Sequence, residues 1–246
     1  PVKATAGESS DDEHDASQTE TDASVVDSTL KRIKQLEEEV KTSKQNANNI
    51  PVLIELCETH LYKKHVNVRI VTSSMLALCR IFSRLMTETN FLEPKKDVKK
   101  GTESKKVEKT SKDIYVDWMS SNYKRFTKLL VRALEKADYN MQVSAMRAVM
   151  GLVAREVEVR TKEPMSTFTS GLFKSLLFTI LLSPNSSPEL FQAMVEQYIE
   201  VYADVKYFTY RVLSLLIAAE LLPDPEGGED AAGAAANAAG GKKRRG

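Results

Sequence analysis

Residues 115–158 read YVDWMSSNYKRFTKLLVRALEKADYNMQVSAMRAVMGLVAREVE, from Tyr115 to Glu158. The first half places Tyr115, Trp118, Met119, Asn122, Phe126, Leu129, Leu130 and Ala133 along one line; the second places Val143, Met146, Val149, Met150 and Val153 along another. Spacings of three and four mark one stripe on an α-helix, so the stretch is two amphipathic helices joined by a short polar turn. A helix with a single apolar stripe must bury it against neighbours, and pairs of such helices stack into a solenoid. The expected fold is therefore all-α, an irregular HEAT-like α-solenoid, with Trp118 as a packing anchor between helices.

Outward from this pair the pattern repeats. Upstream, Val26, Leu30, Ile33, Leu36 and Val40 form a narrow stripe on a helix beginning near Asp27 or Ser28. Asn48, Asn49 and Pro51 form a helix start, and the helix runs to about Lys63. The next helix opens at Asn67 with Val71, Met75, Leu78, Phe82 and Leu85 on its buried side. If Val68 is set against Val143, Met75 falls on Met150, an internal echo of one helix type. Downstream, Pro164 breaks the chain, and a helix with Phe173, Leu176, Leu177, Ile180 and Leu181 follows. Ser187 before Pro188 starts another, with Leu190, Met194, Tyr198 and Ile199. A last helix spans Asp204 to Leu222 with Val205, Phe208, Val212, Leu215, Leu216 and Ala219 inward.

Composition divides the chain accordingly. Large apolar side chains concentrate in 27–222, the expected helical domain of this 246-residue chain. Residues 1–26 read as a disordered acidic tail; residues 1–22 hold seven acids against one lysine. The segment 88–113 loses periodicity and reads as a disordered lysine-rich insertion, with eight lysines in 93–112. Residues 223–246 read as a Gly/Ala-rich linker with a basic end, Lys242 to Arg245. The first residue is Pro, which is expected of a fragment or a processed chain.

No catalytic constellation is legible. Cys57 and Cys79 lie inside helical patterns with no metal-ligand spacing, so they read as small apolar core residues. His60 and His65 flank a helix end, without a thiol or carboxylate cluster around them beyond Cys57 and Glu58. Glu37, Glu38, Glu39, Glu156 and Glu158 read as solvated helix faces. No phosphate loop or nucleophile elbow is present. The expectation is a protein that is not an enzyme and holds no cofactor or metal. No apolar run reaches the roughly 18–20 residues that span a bilayer, and residues 170–182 contain Lys174; no membrane partner is expected.

Two surfaces remain. Tyr198, Tyr202, Asp204, Tyr207 and Tyr210 form a tyrosine-rich run of the kind enriched at protein interfaces, and are candidate partner contacts. Lys124, Arg125, Lys128 and Arg132 follow one another on the polar side of the Trp118 helix and are candidate RNA or phosphate contacts.

The order Tyr115-x-x-Trp118-Met119-x-x-x-Tyr123, a Val–small–Met helix, Leu172-Phe173-Lys174, then Tyr198-Ile199-x-x-Tyr202-x-Asp204-x-x-Tyr207-Phe208 resembles the N-terminal half of the nucleolar complex protein 4 family. These proteins are related to the CCAAT-binding-factor-like nucleolar proteins. The resemblance covers roughly residues 27–222, and the family's larger C-terminal helical domain lies outside it. It implies a non-enzymatic ribosome-biogenesis scaffold in the nucleolus and nucleus. Such a scaffold binds a member of the nucleolar protein 14 family within the small-subunit processome, where 18S pre-rRNA is processed and 40S subunits assemble, with pre-rRNA as a further partner. A protein-interaction adaptor of the same solenoid class, in the nucleus or cytosol, is the alternative.

Overall fold

The computed structural model describes residues 13–89, 91–92, 110–136, 138–160 and 171–221. Eight α-helices occupy them: α1 (Glu13–Thr42), α2 (Asn49–Leu61), α3 (Val68–Glu88), α4 (Ser111–Leu134), α5 (Tyr139–Arg160), α6 (Gly171–Leu182), α7 (Pro188–Met194) and α8 (Ala203–Leu221). They form two layers. Helices α1, α3, α5 and α7 pack side by side in one layer, and α2, α4, α6 and α8 in the other. Across the layers α2 packs on α3, α4 on α5, and α6 on α7. This is the all-α solenoid that the repeated single stripes require, since each helix finds cover only from its neighbours.

The centre is where α3, α4 and α5 meet. Phe82, Phe126 and Met146 are fully buried there. Phe82 stacks on Phe126 at 5.4 Å between ring centroids and meets Tyr123 at 5.3 Å. The echo between α3 and α5 corresponds to position in the fold. Met75 and Met150 are both buried, and Val68 and Val143 both sit half-covered at the rim. Both cysteines are free thiols; Cys57 is buried deeply enough that desolvation, and secondarily Glu58, push its pKa up to about 12.

Local signals set the helix ends. The Asn67 side chain accepts the Ile70 N–H at 3.2 Å and Ser187 accepts the Leu190 N–H at 3.1 Å, each an N-cap. Gln142, fully buried, ties three chain segments together. The two hydrogens of its amide nitrogen are shared among the carbonyls of Leu134, Lys136 and Asn185, at 3.1, 2.6 and 2.8 Å. The α4–α5 turn is thereby fixed to the α6–α7 loop.

Several expectations change. Helix α1 starts at Glu13, well ahead of Asp27, and among the described side chains Val26 is the first packed on the core. Of the expected insertion 88–113, residues 90 and 93–109 lie outside the described residues, as do 1–12, 161–170 with the expected break at Pro164, and 222–246. The insertion's two ends belong to the fold. Phe91 is buried against Phe82 and Tyr123, and Thr110 with Asp113 forms a capping box that starts α4 at Ser111. Trp118 is half-buried beside Tyr115, so the fully buried anchor of α4 is Phe126.

Two acids expected in water are buried. Glu37 is 5% exposed and accepts from Arg80 at 2.7 and 2.6 Å and from Lys41 at 2.9 Å, clasping α1 to α3. Burial raises its pKa, but the Arg80 and Lys41 bonds outweigh it and hold the carboxyl below the usual value. Glu156 lies under α4 and accepts the Tyr123 hydroxyl at 2.6 Å. Burial, reinforced by Glu156, pushes the Tyr123 phenol up.

Among the described residues α3 alone is long and apolar enough to cross a membrane. Its apolar side is instead the middle of the solenoid, packed on α1, α2 and α5.

Candidate interaction surfaces

The tyrosine-rich run falls where the described solenoid ends. The chain leaves α7 through one π-helical turn, Val195–Ile199, before α8. Helix α8 turns Val205, Thr209 and Val212 inward, with Thr209 donating to the Val205 carbonyl at 2.8 Å. Tyr207 and Tyr210 stand on the opposite side, 61% and 57% exposed, with Ile217 further along at 58%. Helical spacing puts Tyr207, Tyr210, Ser214 and Ile217 in one stripe. Leu215, expected inside, is more than half exposed, because no helix covers that flank among the described residues.

The five candidate contacts therefore separate. Tyr198 is half-buried in the seam and packed on the core, and burial raises its pKa. Tyr202 is exposed between the π turn and α8. Asp204 is exposed and its carboxylate accepts the Val205 N–H at 2.8 Å, a helix-start role. Tyr207 and Tyr210 are the members presented to solvent on one helix face.

The basic candidates also separate. Arg125 forms a two-pronged ion pair with Glu58, its Nε donating at 2.8 Å to one carboxylate oxygen and its terminal nitrogen to the other. It joins α4 to α2. Arg132 pairs with Glu135 at 2.7 Å on its own helix end. Lys124 and Lys128 have no ion-pair partner among the described residues. Together with Arg132 they line a groove of about 1300 Å³ beside α4, α5 and α6. Tyr62, which the sequence reading passed over, lines the same groove with its ring 59% exposed.

No cluster of three His, Cys, Asp or Glu side chains that could hold a metal is present among the described residues. His60 keeps its Nδ1 buried without a partner, and burial, then Lys63, lowers its pKa. Both thiols are pushed above their ordinary range by burial, the reverse of a reactive cysteine.

A two-layer solenoid with polar grooves, and with a tyrosine edge that no other helix covers among the described residues, defines the class: a helical-repeat protein. The chain belongs to the family described as nucleolar complex protein 4-like, TPR repeats, whose model matches residues 21–221. TPR and HEAT repeats both stack helix pairs, so the layer arrangement is common to the two names. The chain is 26% identical over 198 residues to an uncharacterised protein of Schizosaccharomyces pombe, an alignment covering 78% of this chain and 37% of that relative. It thus spans about a third of the length of that curated relative. No solved structure matches the chain.

Proposed function

We propose that this chain is a scaffold of nucleolar ribosome assembly, acting within the small-subunit processome in 18S pre-rRNA processing and 40S subunit formation. The observation that carries the reading is the family match, which runs through the whole described solenoid from α1 to α8. The physical role is to hold partners at fixed spacing. A two-layer core supports the exposed faces.

The tyrosine edge of α8 suits a protein partner, a member of the nucleolar protein 14 family in this reading. Tyrosine offers a large, stiff, amphipathic contact at small entropic cost. The basic groove along α4 suits pre-rRNA. Residues 27–222 act as the working unit, and the run Lys242–Arg245 serves nuclear entry. The site of action is the nucleolus and nucleus.

The test is affinity purification of the tagged full-length protein, followed by sequencing of the RNA that comes with it. Enrichment of small-subunit precursors is the expected result. Recovery of large-subunit precursors only, or of no ribosomal precursor, overturns the proposal in favour of an adaptor outside small-subunit assembly.

A further inference from the structure

We infer that Tyr62 and the cations Lys124, Lys128, Arg132 and Lys136 form a binding site for single-stranded RNA, with a base stacked on Tyr62 and phosphates along the cation row. Three observations converge on it. The first is spacing. The four cations stand at every fourth position, and on an α-helix each such step rises about 6 Å. That is close to the phosphate repeat of an extended single strand, so Lys124, Lys128 and Arg132 on α4 can each meet a successive phosphate. Lys136 follows in the turn.

The second is a shared surface. Tyr62, Lys124, Lys128 and Arg132 line the 1300 Å³ groove, and Tyr62, Arg132, Lys136 and Asn185 line a second cavity of about 360 Å³. Tyr62 and Arg132 belong to both, so the ring stands where the two meet.

The third is rigidity. Tyr62 closes α2, its N–H donating to the Glu58 carbonyl at 3.0 Å, and the Glu58 carboxylate is held by Arg125 of α4. The end of α2 that carries Tyr62 is thereby fixed relative to α4 before any ligand arrives. At the far end, Gln142 and Asn185 hold the backbone carbonyls of Lys136 and Glu135 at 2.6 and 2.9 Å. Arg125 ties α4 to α2 through Glu58, one helical turn before Tyr62.

A row of cations alone would suit any polyanion. The exposed ring favours RNA, because every base offers a flat face to stack and an acidic peptide does not. Glu135 lies in the same groove but is matched by Arg132 in an exposed pair, which exchanges for phosphate at small cost.

The test uses the full-length protein and a fluorescein-labelled twelve-nucleotide oligouridylate, read by anisotropy across a salt series. The expected log–log salt slope is about −3, from four phosphates at about −0.7 each. Lys124→Glu with Lys128→Glu should weaken binding at least about tenfold and flatten the slope. Tyr62→Ala should weaken it about fivefold or more with the slope unchanged, and Tyr62→Phe should keep wild-type affinity. The charge-matched control, Lys31→Glu with Lys206→Glu, should bind as wild type. All these side chains are exposed, so the fold is retained, and thermal melts check it.

The inference is overturned if the control loses as much as the groove variant, if Tyr62→Ala has no effect, or if the wild type does not bind at about 50 mM salt. Tighter binding of a polyglutamate peptide than of the RNA also overturns it and assigns the groove to an acidic protein. The result is distinct from that of the precursor purification, because a protein absent from pre-ribosomes still passes or fails this test by itself.

Discussion

The middle of this solenoid and its last helix are built from the same residue types and put them to opposite use. In the middle, rings from α3, α4 and the stretch between them turn inward: Phe82, Phe91, Tyr123 and Phe126 form one buried cluster. In α8 the tyrosines turn outward, and Tyr207 and Tyr210 are more than half exposed. The difference is one of cover. Each middle helix has a neighbour on both sides of its layer and a partner across it, whereas among the described residues α8 packs only on α6 and the π turn. A ring with cover on every side contributes stability. A ring without it is available to something else.

The contrast predicts a steep gradient of mutational cost. Phe82→Ala or Phe126→Ala should destabilise the protein by about 3–5 kcal/mol, because each leaves a ring-sized cavity at the meeting of three helices. Urea denaturation measures this. A loss under about 1 kcal/mol at both positions would mean the cluster is not the core.

Gln142→Ala comes next, at about 1–3 kcal/mol, since it strips the buried carbonyl of Leu134 and the partly buried carbonyls of Lys136 and Asn185 of a donor. Tyr123→Phe should cost about the same or less, by removing one hydrogen bond from the buried Glu156 carboxylate. Thermal melts of the two variants rank them.

The Glu37 clasp adds a pH signature. Its folded pKa lies below the ordinary glutamate value, so the folded state binds its proton less readily than the unfolded chain does. Its contribution is complete above the ordinary pKa and is lost as pH falls through the folded one. The stability advantage of wild type over Glu37→Gln should therefore shrink between about pH 6 and pH 3. An advantage constant with pH would show that the carboxylate gains nothing from Arg80 and Lys41.

The middle of the molecule was the more legible part in sequence. Its stripes are long, and a stripe states its own buried face. That is why the likeness of α3 to α5 could be read from Val68 against Val143, although their packing could not. The misses came where one residue acts through tertiary structure. Glu37 and Glu156 look like wet acids until Arg80 and Tyr123 arrive from other helices. Gln142 precedes an apolar position and gives no local sign of three distant carbonyls. Phe91 stands beside a lysine-rich run whose composition masks it. By contrast, the Thr110-x-x-Asp113 capping pattern was there to be read.

At the surfaces the sequence identified the right neighbourhoods but not the roles within them. Spacing alone could not separate Tyr198 in the seam from Tyr207 in solvent, nor Arg125 in an ion pair from Lys124 without one. Tyr62, one residue past the end of α2, belongs to no periodic pattern. Only the packing of α2 on α4 brings it to the groove.

The smallest effect on stability should accompany the largest effect on function. Tyr207→Ala with Tyr210→Ala should change unfolding free energy by no more than about 0.5 kcal/mol per site, since both rings are already in water. The most direct measurement of the central claim is the yield of small-subunit precursor RNA co-purifying with this double variant of the full-length protein, against wild type at equal expression. The account predicts a yield reduced severalfold with an unchanged melting temperature. A wild-type yield would contradict it, and would mean that the uncovered edge of α8 is not where this scaffold meets its partner.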